Sequence, residues 1–456
     1  MSVGGRLWRA VPPVIREDDT RLIVAILVVV SITYMLLGGL QASLSPGGSN
    51  LLNAMVNSMR FILLTSIAYA LLTLALNLHW GYTGLFNIGI AGFMAVGAYA
   101  TYILAAPPGE PPAPGLGLPV PVAILGGMVA AAIVGGIVAL PALQLDADYF
   151  AIVTVGFSEI VRLSIQANTF SGTVQDPELD TYNAVNLFGF EFGTGGGRGI
   201  QAPIGPPTDV LFEGSTAVGQ PLIDLGASYD IAKPVVTGLT YVVFLAIFVL
   251  PAYYVVSQRL GNSPFGRVLK AIREDETVAQ SLGKDTRWFK IKVFMLGAAM
   301  MGLAGILWRG RTGYIDPQSF RPLVTFYVFT ALIIGGAGSN TGSVIGAIAF
   351  TSLLLNGPRR VVGVIDGAAG GLPSPSNFYV ALSSLDPEMY AGYLVSEISA
   401  LKFIFVGIVI VWLMQNRPEG MLGHRKEIAS SIDLSERPET GGGGGVDASD
   451  GGVSDE

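Results

Sequence analysis

Two opposite charges stand close together in an otherwise apolar part of the chain. Glu159 and Arg162 lie three residues apart within the stretch 148–166, so a helix there carries both on one face. A carboxylate inside a membrane is costly unless it is paired, so we expect an ion pair between them. Two interpretations stay open. The pair faces a transport pathway, to which Thr154 is also assigned, or it locks helix packing near the outer membrane interface.

A glycine-rich segment joins two apolar runs at residues 81–93. Its sequence, G-Y-T-G-L-F-N-I-G-I-A-G-F, contains four glycines and one asparagine. Repeated glycine at membrane depth indicates a broken or re-entrant helix, which is tolerated where the backbone is buried in protein or lines a cavity. A tight turn on the cytoplasmic side fits the same pattern. The candidate pathway residues of this segment are Gly81, Gly84, Asn87 and Gly89.

A segment of mixed charged and apolar residues follows at 259–285. Ser263 and Pro264 are typical of a helix start, and the helical stretch can end at Gly283. The pattern predicts a short amphipathic helical hairpin that docks onto a partner protein; a loop lying on the membrane surface is the alternative. Its mixed apolar face consists of Val268, Ala271, Ile272, Val278, Ala279 and Leu282. The side chains expected to be buried against the partner are Phe265, Val268, Ile272 and Ala279.

A second glycine cluster joins two further apolar runs at residues 335–347. It does not fit a phosphate-binding P-loop. The Gly283-Lys284 dipeptide is followed by Asp285 rather than Ser or Thr, and it lacks the upstream glycine. We therefore expect that this chain is not an enzyme and does not itself hydrolyse ATP.

The composition excludes several kinds of site. The chain has no cysteine, which rules out disulfides, Cys-ligated zinc, iron–sulfur clusters and Cys nucleophiles. His79 and His424 are far apart and predict no metal site. A net charge of −7 gives no basis for nucleic-acid binding. We expect no catalytic residue, no metal and no cofactor.

The elements that position these residues are predicted to be membrane helices. Charged residues make up 13% and hydrophobic residues 51% of the chain, against about 25% charged residues in soluble proteins. Long charge-free runs, such as 61–109, exceed the roughly 20 apolar residues that a bilayer core requires. The pattern predicts an all-α integral membrane protein of about ten transmembrane helices in a Gly-rich bundle. The spans are expected at about 22–40, 61–78, 88–106, 120–142, 148–166, 235–256, 289–309, 324–338, 343–356 and 400–415.

Basic residues set the predicted orientation, because Lys and Arg concentrate in cytoplasmic loops. The N-terminal segment 1–21 and the loop 257–288 are basic, whereas the loop 167–234 carries eight acids and two bases. We expect the first span to be an uncleaved anchor, with a cleaved signal peptide as the alternative, and both termini to be cytoplasmic. The transmembrane domain is assigned to 22–426, with 167–234 outside and 257–288 inside. The acidic, Gly-rich tail 427–456 is expected to be disordered.

These segments together resemble the permease subunits of branched-chain amino acid ABC importers of the LivM type. The motif G-Y-x-G-x-x-x-x-G-x-A-x-F is matched at 81–93, and Y-F-A-I-x-T-x-x-F-x-E-I-x-R at 149–162. The coupling motif S-P-F-G-R-x-L-x-A-I-R-x-[DE]-E is matched at 263–276. The resemblance also includes 335–347 and the closing segment 417–423, and it covers roughly 60–165 and 235–425.

Three departures from the family pattern stand out. Residues 86–90 read F-N-I-G-I where the family often has a Ser-Leu-Gly-His run. The E-A-A of the general coupling signature is replaced at 277–279 by T-V-A, with Gly283 retained. The third departure is the external loop 167–234, which is long and acidic. Among the properties that the resemblance implies, the amino-acid substrate is the one that these departures affect most.

The resemblance implies an ABC importer permease fold and a division of labour. A second permease subunit, two ATP-binding cassette subunits and an external solute-binding protein would complete the importer, and this chain would form half of the pathway for an amino-acid substrate across the lipid bilayer. Coupling to the ATPase would run through Pro264, Phe265, Gly266, Arg267, Ala271, Arg273, Glu274, Glu276, Ala279 and Gly283.

Two alternatives remain. Related ABC permeases carry urea, short amides or other small solutes. An ion-coupled secondary transporter is a different class, which usually needs several acids at mid-membrane; here Glu159 is nearly alone within the predicted spans.

Overall fold

The structure is a computed structural model. It describes residues 17–45, 50–108, 115–145, 147–167, 169, 185–187, 190–201, 208, 211–212, 219–310, 314–373, 375–416 and 420–422. The tail 427–456, most of the N-terminal segment and much of the loop 167–234 lie outside the described residues.

Helices dominate the described chain. The helices up to the long loop are α1 (Glu17–Leu44), α2 (Leu51–Leu76), α3 (Ile90–Ala105), α4 (Val120–Ala142) and α5 (Ala147–Gln166). Those from the loop to the glycine cluster are α6 (Gln220–Ser228), α7 (Lys233–Phe244), α8 (Leu250–Asn262), α9 (Pro264–Glu274), α10 (Glu276–Ser281), α11 (Thr286–Gly310) and α12 (Pro322–Gly335). The last are α13 (Asn340–Ala349), α14 (Gly357–Ala368), α15 (Phe378–Ser383) and α16 (Pro387–Asn416).

Short π-helical and extended pieces complete the chain. One π-turn, Asn77–Gly81, continues α2, and two others join α7 to α8 (Leu245–Val249) and α13 to α14 (Phe350–Asn356). Four short strands form two antiparallel pairs: β1 (Val185–Leu187) with β2 (Phe190–Phe192), and β3 (Ile200–Gln201) with β4 (Tyr314–Ile315).

Every predicted span overlaps a helix, but the predicted count of ten crossings is not confirmed. Six helical segments of the described chain are long and apolar enough to cross a membrane: Asp19–Leu44, Leu51–Gly81, Val120–Pro141, Lys233–Asn262, Thr286–Gly310 and Asn340–Ala368. α3 and α12 are apolar but shorter. α5 carries Asp148, Glu159 and Arg162 along its length.

The helices divide into a buried centre and an exposed periphery. α2, α11 and α13 are mostly buried, and α11 packs against α2, α3 and α4. α1 and α4 are as apolar as the central helices, yet most of their side chains are exposed or only half-buried. An exposed apolar surface of this kind is stable against lipid chains rather than water, because lipid removes the cost of leaving it uncovered.

Small residues decide which side of α4 faces the bundle. Ala123, Ala131 and Ala139 are fully buried at eight-residue spacing, and the buried Gly127 and Gly135 lie midway between them, which places all five on one helical face. Large apolar side chains occupy the other face and are exposed. A close approach joins Gly97 of α3 to Gly302 of α11, where a Cβ on Gly97 would lie 2.4 Å from the Gly302 Cα. Without Cβ atoms the backbones approach closely enough to gain packing that lipid cannot supply.

α11 separates the two ends of the bundle. Its 25 residues span about 37 Å at ~1.5 Å per residue. α9 and α10 pack at its N-terminal end, where Phe289 stacks on Phe265. β4 follows its C-terminal end and pairs with β3, which belongs to the loop 167–234. The basic loop and the described part of the acidic loop therefore lie at opposite ends of the bundle.

Candidate functional site

The second helix breaks at the glycine-rich segment. After the π-turn the chain stays helical to Thr83, runs without helix over residues 84–89, and resumes as α3. Gly84 adopts φ +75°, a conformation that glycine takes at little cost. Gly84 itself is exposed, whereas Asn87 and Gly89 are buried. The segment is therefore neither a two-residue turn nor a deep re-entrant helix, but a break that begins at the bundle surface and enters the core.

Side chains from two other helices satisfy the backbone at the start of α3. The N–H of Ile88 donates to Thr154 Oγ1 at 3.0 Å, and the N–H of Gly92 donates to Ser158 Oγ at 3.0 Å. The N–H of Ala91 donates to Thr325 Oγ1 at 3.1 Å. Helix starts leave donors without intrahelical partners, and in a dry interior each such donor would cost free energy. Sequence reasoning missed Ser158 and Thr325, although hydroxyl residues in apolar helices are a signal for such bonds.

Asn87 and His79 extend this network into α11. The Asn87 side-chain oxygen accepts from the N–H of Gly89 at 2.8 Å. Its amide nitrogen therefore donates to His79 Nδ1 at 3.0 Å, which leaves the ring proton on Nε2, 3.2 Å from the carbonyls of Val293 and Phe294. The His79 ring also stacks on Phe294. His79 is thus a structural residue that ties the break to α11.

A second set of polar bonds ties the π-turn to the other glycine cluster. Asn77 Oδ1 accepts from the N–H of Gly338 at 2.7 Å, and its amide donates to Asn340 Oδ1 at 3.0 Å. Asn340 in turn donates to Gln258 Oε1 at 2.7 Å. The two glycine-rich segments, distant in sequence, therefore meet at the end of α8. The N–H groups of Met421 and Leu422 donate to carbonyls at the end of α12, so the closing segment joins them there.

Arg273 links the helix α9 to this junction. Its Nη1 donates to the Gly81 carbonyl at 2.5 Å, while Nη2 forms an ion pair with Glu274 at 2.6 Å. A Cβ on Gly84 would lie 3.2 Å from Arg273 Cγ, so glycine leaves room for the arginine stem. Lys270, on the same helix, lies over the Tyr82 ring. α9 is therefore bonded directly to the broken end of α2.

The predicted start and end of the amphipathic segment are confirmed. Ser263 caps α9 by accepting from the N–H of Gly266 at 3.1 Å, and Gly283 takes φ +74° after α10. The segment is two short helices, because Asp275 ends the first and caps the second through the N–H groups of Thr277 and Val278. Gly266 packs so tightly that a Cβ would lie 2.1 Å from the Leu260 carbonyl oxygen.

Glu276 anchors α10 to the start of α11. Its Oε2 accepts from Lys290 Nζ at 2.5 Å. Burial raises the pKa of the Glu276 carboxyl, but the charge of Lys290 and hydrogen bonds from Lys290, Thr286 and Gln280 together lower it by more, so the net pKa is below the usual range. The carboxylate is therefore charged at neutral pH and holds the hairpin against the bundle.

The apolar side chains of the hairpin that are buried and those that are uncovered differ from the prediction. Ile272 and Ala279 were expected to be buried against a partner, and this is wrong, because both are buried within the chain itself. Phe265 is partly buried on Phe289. The apolar side chains left uncovered are Val278, Leu282 and Trp288, which are 55%, 72% and 57% exposed. Pro264, Arg267, Ala271 and Glu274 are exposed beside them.

Glu159 and Arg162 form the predicted ion pair, at the other end of the bundle. Arg162 Nε donates to Glu159 Oε2 at 2.9 Å, and Nη2 contacts Oε1. The pair is close to Gln318 and Arg321, which precede α12. It is therefore not brought together with the other candidate pathway residues. Asn87, Gly89 and Thr154 are buried and bonded within the chain, and their part in a pathway stays a prediction.

Comparison with known proteins identifies the family. A family model described as "Branched-chain amino acid transport system / permease component" matches residues 58–356. The matched region contains the broken helix, the hairpin and both glycine clusters. The chain belongs to this family of transport permeases and is a multi-pass membrane protein.

Individual relatives agree with the family assignment. The chain is similar to the high-affinity branched-chain amino acid transport system permease protein LivM of Escherichia coli (strain K12), with 34% identity over 288 residues, or 62% of this chain and 60% of that protein. It is 27% identical over 322 residues to the probable branched-chain amino acid transport permease protein LivM of Methanocaldococcus jannaschii, covering 65% of this chain and 80% of that protein.

A shorter match involves a second kind of permease. The high-affinity branched-chain amino acid transport system permease protein LivH of Escherichia coli (strain K12) is 31% identical over 138 residues, or 30% of this chain and 41% of that protein. No solved structure matches the chain. The chain spans 60% of the length of the Escherichia coli LivM protein.

Arg273→Ala should loosen α9 without unfolding the bundle. A hydrogen bond from a charged donor contributes about 1.5–3 kcal/mol, and about 1.4 kcal/mol corresponds to a factor of ten. Amide hydrogen exchange over 264–274 in the purified chain should therefore rise about tenfold. Arg267→Ala, an exposed position on the same helix, is the matched control and should leave exchange unchanged. Equal exchange in the two variants would contradict the assigned role of the Arg273–Gly81 contact.

Proposed function

We propose that this chain is a transmembrane permease subunit of an ATP-driven ABC importer for branched-chain amino acids. The observation that carries the proposal is the junction at which α9 meets both glycine-rich segments through Arg273, Asn77 and Asn340. A short helix that is exposed on one side and bonded to a broken membrane helix on the other can convert the movement of a partner into movement of the bundle. The substrate for which the LivM relatives are named supports the choice of branched-chain amino acids.

The proposed importer contains further subunits. Two ATP-binding cassette subunits bind at the hairpin end, an external solute-binding protein delivers the amino acid at the opposite end, and a second permease subunit forms the other half of the pathway. The partial similarity to a LivH protein supports a pair of related permeases. No P-loop is found in this sequence, so ATP is hydrolysed on the separate subunits.

The hairpin end is proposed to face the cytoplasm, with both termini on that side. The basic residues of 257–288 favour this orientation. The contact of Met421 with the end of α12 puts the closing segment at the hairpin end as well. α1 supports the same orientation for the N-terminus: it runs antiparallel to α2, with Gly38 against Ser58 near the outer start of α2.

Cysteine labelling tests this orientation in a chain that has no native cysteine. Ser228→Cys, exposed at the end of α6, should react with a membrane-impermeant maleimide on intact cells. Ser281→Cys, exposed in α10, should react only after permeabilisation. The reverse pattern would overturn the proposed orientation.

The proposed docking surface is the uncovered side of the hairpin. Val278, Leu282 and Trp288 present apolar area, while Arg267 and Lys284 are exposed cations nearby. Exposed apolar side chains that border charge are typical of protein interfaces. The opposite side of the hairpin packs on the bundle through Phe265, Ile272 and Ala279. These residues hold the hairpin in the shape that a partner contacts.

Leu282→Asp should weaken the attachment of the ATP-binding subunits. Removing an anchor side chain from an interface typically costs about 1–4 kcal/mol, and a buried aspartate adds a desolvation penalty. Leu282 is 72% exposed in this chain, so the permease itself should fold normally. Copurification of the ATPase should fall at least about tenfold, which corresponds to 1.4 kcal/mol.

The matched control lies at the other end of the bundle. Leu222→Asp changes an exposed leucine on α6 and should leave copurification unchanged. Normal ATPase recovery with the Leu282→Asp variant would place the docking surface elsewhere.

Uptake by membrane vesicles separates the proposed function from its alternatives. Vesicles that contain the assembled transporter should accumulate leucine when ATP and the binding protein are supplied. A protonophore or a sodium ionophore should not reduce this uptake. Ionophore-sensitive uptake without ATP would favour an ion-coupled secondary transporter. ATP-driven uptake of urea or acetamide in place of leucine would favour an ABC permease for another small solute.

A further inference from the structure

A polar cleft opens at the end of the bundle opposite the hairpin. It lies between the last turns of α5 and the residues that lead into α12, and it has a volume of about 550 Å³. This size falls within the ~300–1,000 Å³ typical of small-molecule sites. The charged residues of its wall are Glu159, Arg162 and Arg321. None of the polar bonds around the broken helix reaches this cleft.

A continuous chain of hydrogen bonds holds the polar wall in place. Arg162 is engaged on both sides: Nε bonds Glu159, and Nη1 donates to Gln166 Oε1 at 2.9 Å. Gln318 Nε2 lies 3.5 Å from the same Gln166 oxygen. Arg321 donates to Gln318 Oε1 through Nε at 2.8 Å and Nη2 at 2.6 Å. Arg162 thus has few donors left, whereas Arg321 forms no ion pair with a carboxylate of the described residues.

The charged side chains of the cleft match the two ends of a zwitterion, which carries a carboxylate and an ammonium group. The Glu159 carboxylate faces two guanidinium groups, those of Arg162 and Arg321, so the wall keeps one net positive charge, and a guanidinium binds a carboxylate strongly. Arg321 also precedes the first turn of α12, whose dipole favours an anion at that end. The Glu159 side chain is 38% exposed, so its carboxylate remains accessible to an ammonium group. Carboxylate and ammonium sites therefore occur in one cleft.

The rest of the wall is aliphatic. Leu163 and Leu323 line the cleft and are 50% and 44% exposed. Ile160 and Ile152 continue the uncovered stripe along α5, with open space around Gly156. An aliphatic side chain bound there removes apolar area from water, at about 25 cal/mol per Å². The cleft thus leads onto a face of the protein that this chain does not cover.

We infer that this cleft binds an α-amino acid with an aliphatic side chain, its carboxylate on Arg321, its ammonium on Glu159 and its side chain on Leu163 and Leu323. This inference rests on the proposed function, because it assigns an entry site to the proposed substrate. It gives the Glu159–Arg162 pair a role in binding: Arg162 fixes the Glu159 carboxylate at the cleft wall.

Binding of leucine to the full chain in lipid nanodiscs tests the inference. Tritiated leucine should bind the wild-type chain saturably, and Arg321→Gln should raise its Kd at least about tenfold. Glu159→Gln should also raise it. Lys233→Gln, which removes a charge at the start of α7 outside the cleft, is the control and should leave the Kd unchanged. An unchanged Kd in Arg321→Gln, or no saturable binding by the wild type, would overturn the site.

Two leucine analogues assign each charge to its partner. Leucinol lacks the carboxylate, so its competition with leucine should be insensitive to Arg321→Gln. 4-Methylpentanoate lacks the ammonium, so its competition should be insensitive to Glu159→Gln. Thermal melting shows whether a variant is folded. If Arg321→Gln is not, Arg321→Lys replaces it. The relative affinities of the two analogues for the wild type then still test whether the cleft binds a zwitterion. Equal affinity of leucine, leucinol and 4-methylpentanoate would contradict a zwitterion site.

Vesicle uptake separates this inference from the proposed function. ATP-driven leucine uptake that is identical in wild type and Arg321→Gln would reject the entry site and leave the importer function intact. Absence of any ATP-driven uptake of leucine, isoleucine or valine by the wild-type assembly would reject the proposed function. The nanodisc measurement does not depend on the other subunits, so it decides the binding site in either case.

Discussion

The backbone of the broken second helix needs hydrogen-bond partners inside a bundle that excludes water. An unpaired N–H or C=O in such an interior costs several kcal/mol, by order of magnitude. Thr154, Ser158 and Thr325 supply oxygens to the start of α3, and Arg273 supplies a donor to the carbonyl at Gly81. The positions of α5, α12 and α9 relative to α2 follow from this requirement. Displacing any one of these helices would leave a buried backbone N–H or C=O group without its hydrogen-bond partner.

The same contacts connect the hairpin to the interior of the bundle. α9 is exposed on one side and bonded to the break on the other, where Arg273 donates to the Gly81 carbonyl at the end of α2. The tight contact between Gly97 and Gly302 leaves no gap between α3 and α11, as in a close-packed interior. The polar cleft stands at the far end of α5, the helix that also provides Thr154 and Ser158. A physical path of packed helices thus joins the hairpin to the cleft.

Some residues that the sequence assigns to one site lie apart in the structure, and some residues that are distant in sequence are in contact. Glu159 and Asn87 are both candidate pathway residues, yet one lies in an open cleft and the other is buried among His79, Gly89 and α11. Residues 81–84 and 335–340 are more than 250 positions apart in sequence and meet through Asn77 and Asn340. Val278 and Leu282 are as apolar as Ile272, but only the first two are uncovered. Spacing alone does not distinguish these cases.

The sequence by itself determined the helices, their apolar character and the positions of the breaks, because these depend on neighbouring residues. Long charge-free runs predicted the spans, Ser263 and Pro264 predicted the start of α9, and Gly283 predicted the end of the hairpin after α10. The i, i+3 spacing of Glu159 and Arg162 predicted their ion pair. Only the tertiary structure decided which face of the hairpin is free, which hydroxyls satisfy the broken helix, and that Arg321 joins Glu159 in one cleft. Those outcomes depend on contacts between residues distant in sequence, which no local pattern encodes.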